Sequence, residues 1–490
     1  MPVSRMDINS QAMSKQTLLK SQTKFVQLVF VCTLTTTLFA ACAKEKYVAK
    51  PINSQHTTAK IFAKDPLSSA FKTYLIQQGY QESALPFASW GINELTSSAL
   101  YHHPKLDIAK AQLALAKAQL ESAGQKQNPV LSGSLARSNQ ANGDIRPWSY
   151  GLNVEIPIET AGKRQIKIEE AQHLQEVARM DVADSAWQLR SQIAKDLLRY
   201  HENIAHQKLL QRELDKHTEI MEMLEKRLAV GALSNAGLST AKLVAQKTQF
   251  SLEAEQAKNQ EVVASLATDA GLTLERFKQI PLQPLDIETT LTKQTQTLTS
   301  EAFKNLQEKA LLNRLDIRRG LAKYAAAEAK IKLEVAKQTP DISITPGFIF
   351  DFGDKIWSLG FSSLLNLLNK NQTLIAEATQ LREIEGAQFE TLQAKIIGDL
   401  SFANARFLAA QQRLAAAKQQ QTAQQIYMQK LAKQFNAGVL DRLELSQAAL
   451  VAQLTDAQLQ SSQFEVLNAA NEIEDVTQHP VFDDAAKLAN

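Results

Sequence analysis

The groups that could do chemistry in this 490-residue chain are eight histidines, two cysteines and 51 acidic residues. Their spacing does not gather them. There is no C-x-x-C or H-E-x-x-H spacing, no Walker loop and no G-x-G-x-x-G turn. His102-His103 is the one adjacent pair, at a predicted helix start, and reads as a solvated polar pair rather than a metal site. His201 and His206 lie five apart, which puts them on different helical faces. Ser239 and Ser446 have no His and acid that the sequence can pair with them. The chain reads as a non-enzyme with no catalytic residue, metal or cofactor. Two acids remain of interest. Asp441 and Glu444 follow a predicted turn, three apart on one helical face, where they cap the helix and favour its dipole.

If few residues carry chemistry, the elements must carry the function, and composition says what they are. Glycine (17) and proline (13) stand at roughly half their usual ~7% and ~5%. Aromatics are 6%. With so few breakers, and Ala, Gln and Leu recurring throughout, long uninterrupted helices are expected. The net charge of +3 excludes a strongly basic nucleic-acid binder and a disordered polyelectrolyte.

Lys15, Lys20 and Lys24 precede the apolar run FVQLVFVCTLTTTLF, which reads as a secretory signal and is too short and Thr-rich for a transmembrane helix. Translation is expected to start at Met13. The run ends Leu38-Phe39-Ala40-Ala41-Cys42, similar to a bacterial lipobox in which Cys42 is acylated and becomes the first residue; the alternative is ordinary cleavage after Ala41-Cys42-Ala43. Cys32 lies inside the signal, so Cys42 would be the lone cysteine of the mature chain, with no disulfide partner. Ala43 after it suggests sorting to the outer membrane. Removal of residues 1–41 leaves a net charge of zero, and no electrostatic case for nucleic acid.

The chain contains an internal repeat. Leu106-Asp107-Ile108 recurs as Leu315-Asp316-Ile317, and Trp148-Ser149-Tyr150-Gly151-Leu152 as Trp357-Ser358-Leu359-Gly360-Phe361, both 209 residues apart. Gly231, Leu233, Leu238 and Ser239 recur as Gly438, Leu440, Leu445 and Ser446. The first half is predicted to hold a helix over 93–126, a strand pair, a helix over 163–230, a turn at Gly231 to Ser234 and a helix to about 271. The second repeats it: helix 302–338, strand pair, helix 370–435, a turn at Asn436 to Gly438, helix 441–477. The long helices carry coiled-coil spacing at Val182, Ala186, Leu189, Ile193 and Leu197. The organisation is a signal peptide (1–41), an N-terminal lipid-anchored segment (42–92), a first repeat (93–275), a polar connector (276–301), a second repeat (302–478) and a C-terminal tail (479–490).

Within the strands, Tyr150, Leu152, Val154 and Ile156 alternate with Gly151, Asn153 and Glu155, and Trp357, Leu359 and Phe361 with Ser358, Gly360 and Ser362. Ile342, Ile344, Phe348 and Phe350 alternate likewise. Strands of 9 to 11 residues with one apolar face match transmembrane β-strands, and Trp148, Tyr150 and Trp357 near the turns match interfacial aromatics. Four such strands cannot close a barrel, and an open edge cannot exist in lipid. If they span a membrane, several chains share one barrel, and three copies give twelve strands. The alternative is a pair of ordinary hairpins on a helical bundle.

The segments Leu152-Asn153-Val154-Glu155-Ile156-Pro157-Ile158-Glu159-Thr160-Ala161-Gly162-Lys163-Arg164 and Leu364-Leu365-Asn366-Leu367-Leu368-Asn369-Lys370-Asn371-Gln372, set in this duplicated layout, resemble the TolC-type outer-membrane efflux family over about residues 93–478. The first segment is most like the cobalt–zinc–cadmium (CzcC-like) branch. Where that pattern usually carries Pro in its second copy, this chain has Leu365 to Leu368. The resemblance implies a mainly α fold with a small transmembrane β part: a TolC-like α-helical barrel under a trimeric 12-stranded β-barrel, four strands per chain. It implies a homotrimer in outer-membrane lipid, lipid-anchored, with its tunnel in the periplasm, working with a periplasmic adaptor and an inner-membrane RND-type pump. The expected function is a passive exit duct for divalent metal cations. A channel for drugs, other organic compounds or secreted proteins, or a periplasmic adaptor or coiled-coil structural protein, are the alternatives. Val230, Gly231, Leu233 and Ser234, and Gly438, Val439, Leu440 and Asp441, fall at the family's periplasmic tips, where an adaptor docks. Glu444 falls near the family's acidic constriction, with Asp441 beside it and Arg442 and Arg227 as partners in a closed-state latch.

Overall fold

The computed structural model describes residues 46–139, 146–364 and 369–480. The signal segment, Cys42, most of the 139–147 turn, residues 365–368 and the tail from 481 lie outside the described residues. The chain divides into two units, Met1–Lys60 and Ile61–Asn490. In the first, an irregular stretch leads into α1 (Ser54–Phe62), where the Asn53 side chain accepts from the Gln55 amide at 2.9 Å.

The second unit runs α2 (Ser69–Gln77), α3 (Ile92–His102), α4 (Pro104–Ala123), β1 (Val130–Arg137), β2 (Trp148–Ile158), α5 (Lys163–Ala229), α6 (Asn235–Asp269), α7 (Leu274–Phe277), α8 (Ile287–Thr297), α9 (Ser300–Asn313), α10 (Leu315–Ala336), β3 (Ile342–Asp351), β4 (Asp354–Ser363), α11 (Gln372–Asn436) and α12 (Arg442–Thr477). From α3 to α6 and again from α9 to α12 the order is helix, helix, strand pair, long helix, returning helix, so the two halves repeat one another. At 67 and 65 residues, α5 and α11 each span roughly 100 Å.

Three expectations are corrected. The helix predicted over 93–126 is two, because Pro104 pushes His103 into extended backbone (φ −79°, ψ 123°) and then opens α4 at its first position. The helix predicted over 302–338 also breaks, at Arg314 (φ −54°, ψ 143°), with no proline to announce it. Arg314 pairs with Asp316 at 2.7 Å and donates to the Val476 carbonyl, while the Leu315 amide donates to Gln478 Oε1 at 2.8 Å. The polar connector holds α8. Asp286 caps it by accepting from the Thr289 amide at 3.3 Å, and Leu291 is buried in a cluster with Leu198, Phe407, Phe464 and Leu467.

Both long helices leave the sheet through a left-handed residue, Gly162 (φ 68°) and Asn371 (φ 59°), which again lie 209 positions apart. Glycine has no Cβ to clash there, and asparagine tolerates the region better than most residues. Buried Lys163 donates to Asp341 Oδ1 at 2.7 Å and to the Thr339 carbonyl at 2.6 Å, tying the foot of β2 to the foot of β3. Asn371 makes the corresponding tie to the Glu334 carbonyl at 2.7 Å.

Below the sheet, α5 packs first on α4 and α10, then on α6 and α12, and α11 packs on α10 and then α12. Of the predicted seam, Leu189, Ile193 and Leu197 are buried with Phe71, Trp90, Leu266 and Phe277. The strands pair antiparallel in the order β1-β2-β3-β4, and the β2–β3 ladder joins the two halves.

Candidate functional site: the apolar sheet and the hairpin turns

Strand residues alternate faces, so pairing register decides which side chains meet. One cross-strand row is Gly133, Leu152, Phe348 and Trp357; the next is Leu135, Tyr150, Phe350 and Lys355. The opposite face carries Ser132, Asn153, Gly347 and Ser358 in one row. Gly347 is required in that row: a Cβ there would meet Asn153 Oδ1 at 2.2 Å and Ser358 Oγ at 2.8 Å.

The apolar face is open. Trp357 is 81% exposed and Phe361 86%, with Leu135, Leu152 and Leu359 all above half. A contiguous apolar surface of this kind marks an interaction with lipid or with another chain. The outer edges of β1 and β4 have no partner strand among the described residues. The aromatics pack as pairs. Tyr150 stacks on Phe350 with centroids 4.9 Å apart, Trp357 tilts against Phe348 at 4.8 Å, and the Arg137 guanidinium lies 5.5 Å from the Trp148 ring.

At the far ends of the long helices the two turns are built alike. After α5, Gly231 (φ 76°) donates to the Leu228 carbonyl at 2.9 Å and Ala232 to Arg227 at 2.8 Å. After α11, Gly438 (φ 75°) donates to Phe435 at 2.9 Å and Val439 to Gln434 at 3.0 Å. These are paired Schellman closures, satisfying the last helical carbonyls. Val230 and Val439 are exposed at the two turns, Leu440 is half-buried, and Leu233 packs with Ile220, Leu224, Leu238 and Leu443.

The expected caps differ. Ser234 opens α6 without a side-chain cap bond. Asp441 opens α12 with a full capping box: it accepts from the Glu444 amide at 2.9 Å, and Glu444 accepts from the Asp441 amide at 3.3 Å. That bond and the Arg227 guanidinium hold the Asp441 carboxyl below its ordinary range. Of the predicted latch, Arg227 meets Asp441 at 2.8 Å. Arg442 meets Glu219 at 3.2 Å, a partner the sequence gave no reason to single out.

The histidines do not assemble. His102 is buried rather than solvated, and burial with Lys64 nearby pushes it down to about 4. His103 caps α4, accepting from the Lys105 amide at 3.2 Å. His217-Thr218-Glu219 carries an H-x-E spacing on α5, but Glu219 is spent on Lys216 at 2.7 Å and on Arg442. Among the described residues no three His, Cys, Asp or Glu side chains could hold a metal ion.

Sequence reasoning missed a belt of buried charge midway along α5. Arg190 pairs with Glu474 at 3.4 Å, Ser191 donates to Asp475 at 2.5 Å, and Ser265 of α6 donates to Asp196 at 2.5 Å. Beside Asp196, the Asp269 carboxyl is pushed up to about 7 by burial and by its neighbour's charge. These charged residues interleave with Leu189, Ile193 and Leu197, which was the available signal.

The fold is one shared with several solved outer-membrane proteins. VceC of Vibrio cholerae superposes with a TM-score of 0.64 at 19% identity, covering 80% of this chain and 96% of its own. CusC does so at 0.63 and 17%, covering 89% of this chain and all of its own. Residues 95–271 match the family model described as outer membrane efflux protein. The Pseudomonas aeruginosa pyoverdine export outer membrane protein OpmQ is 26% identical over 275 residues, 53% of this chain. The match spans little more than half, 56%, of that relative's length. The chain thus shares the fold of these outer-membrane proteins, and its residues 95–271 match the outer membrane efflux protein model. The narrower likeness to the cobalt–zinc–cadmium branch gains no separate support from these matches.

Proposed function

We propose that the protein is the outer-membrane channel of a tripartite efflux system, a homotrimer whose three sheets close one twelve-stranded barrel. The observation that carries this is the four-stranded sheet with one exposed apolar face and two unpaired edges. In lipid, every backbone group must be bonded internally, so the edges of β1 and β4 have to meet strands of other copies. The strands of 8 to 11 residues are about as long as tilted spanning strands.

Register supports the tilt. The repeat makes Trp148 and Trp357 equivalent, each 14 residues before its left-handed residue, yet the ladder sets Trp357 level with Leu152, four residues along β2 from Trp148. If both tryptophans sit at one membrane depth, two residues of stagger per strand give a tilt of roughly 55°, about 10° above the usual 35–45° for such barrels.

The helical part then forms the periplasmic tunnel, anchored by acylation of Cys42. The turns around Gly231 and Gly438 dock a periplasmic adaptor, and an inner-membrane RND-type pump supplies the energy. Asp441 and Glu444 form threefold rings at the mouth, and Arg227 and Arg442 latch it. Purified protein in planar bilayers should conduct in discrete, cation-preferring steps. Membrane-inserted protein that never conducts contradicts the reading.

Divalent metal cations are the proposed cargo, on the strength of the segment over 152–164. An organic cargo is the second reading, favoured by the relative named for pyoverdine export. Deleting the gene and scoring sensitivity to zinc, cadmium and cobalt against small organic toxicants separates the two.

A further inference from the structure

The charges of the sheet are sorted by face. On the polar face the only charged strand residues are acids: Glu155, Asp351 and, directly opposite it, Asp354. On the apolar face the only charged strand residues are bases. Arg137 lies beside Trp148, and Lys355 stands opposite Phe350. Arg146, just before β2, places its guanidinium 5.9 Å from the Phe350 ring on the same side.

These three cations gather at one end of the sheet, the turn end, away from the feet where α5 and α11 begin. All three are exposed, and among the described residues none has a carboxylate partner. They rest on a floor of Trp148, Tyr150 and Phe350, with Tyr150 stacked over Phe350. An unpaired cation on a lipid-facing surface is costly unless it reaches the headgroup layer and finds an anion there. Aromatic rings with a cation at the interface suit a phosphate-bearing headgroup, with the guanidinium fork donating to its oxygens and the rings meeting the upper acyl chain.

We propose that Arg137, Arg146 and Lys355 form an outward-facing site for the phosphate groups of anionic lipids in the leaflet opposite the helical tunnel. This rests on the channel reading, because it needs the sheet to lie in a membrane. The headgroup layer at that end is then the one the cations reach, and the acids on the other face line the lumen, away from lipid phosphate.

The test uses the full-length trimer reconstituted in nanodiscs of phosphatidylcholine, with and without lipid A, read by native mass spectrometry of retained lipid and by the temperature at which the trimer dissociates. Lipid A should be retained and should raise the dissociation temperature, and 0.5 M salt should weaken both effects. Neutralising the cations (R137Q, R146Q and K355Q) should cut retention roughly fivefold for each charge removed, while R137K with R146K keeps most of it. Inorganic phosphate in phosphatidylcholine discs should leave the dissociation temperature unchanged, and a rise with free phosphate alone overturns the lipid assignment. Trimers that form normally but hold lipid A equally well in wild type and the triple variant overturn the site and leave the channel intact. Failure to enter the bilayer in any lipid overturns both.

Discussion

Arg227 Nη2 donates to Asp441 Oδ2 at 2.8 Å, joining the last turn of α5 to the cap of α12 across 214 positions of sequence. Arg442 to Glu219 at 3.2 Å is a second bond between the same two helices. In the proposed channel, opening the tunnel by moving one hairpin relative to the other would break both. Arg227→Ala with Arg442→Ala should therefore raise single-channel conductance. The melting temperature should stay within about 2 °C, since exposed pairs in water contribute little. Unchanged conductance would remove the latch. Glu444→Ala should lower cation preference in the same recordings, and unchanged selectivity would return Glu444 to its capping role alone.

The turn glycines sit at φ 76° and 75° with nothing within 4 Å of where a Cβ would lie. Backbone conformation, not crowding, makes glycine necessary there. Gly231→Ala or Gly438→Ala should each cost about 1–2 kcal/mol locally, and Gly→Asn less. Hydrogen exchange at the last turns of α5 and α11 would show the difference, and equal exchange in the alanine and asparagine variants would contradict it.

The two faces of the sheet should respond oppositely to charge. Phe361→Arg places a cation against lipid and should cost about 2–4 kcal/mol if it lies near mid-bilayer. Its yield of membrane-inserted trimer should fall sharply. Ser358→Arg, on the polar face, should be tolerated. Equal yields from the two would mean that the apolar face does not meet lipid.

Asp269 keeps its proton to about pH 7 in the fold, against 3.8 for a free aspartate. Between those values the folded chain holds a proton that the unfolded chain has released, so stability falls as pH rises through the window and levels off above it. Asp269→Asn should flatten that slope. His102 and His201, pushed down to about 4 by burial, act in the other direction, costing stability as pH falls from 6.5 towards 4. Denaturation midpoints from pH 4 to 8 would test both, and an Asp269→Asn profile parallel to wild type would contradict the first.

The repeat, the four strands, the long helices and the glycine turns were legible because each has a local signature. Gly162 and Asn371 answer each other at one offset, and alternation set the faces of β2 and β4. The break at Arg314 was not legible, since a guanidinium reaching Val476 and a glutamine from the chain's far end replace the usual proline. Helix α8 could have been read from Ile287, Leu291, Gln294 and Leu298, whose spacing was masked by threonines. The site was less legible than the fold. Glu219 and the buried belt around Asp196 depend on partners 69 and more positions away in sequence, which no local pattern announces.

The central claim is that several copies share one membrane barrel. Cells expressing a tagged form would be fractionated, and the outer-membrane fraction run on gels with and without heating. A band of trimer size that collapses to monomer on heating is the predicted result. A protein found in the soluble periplasmic fraction, running as monomer before and after heating, would contradict the account.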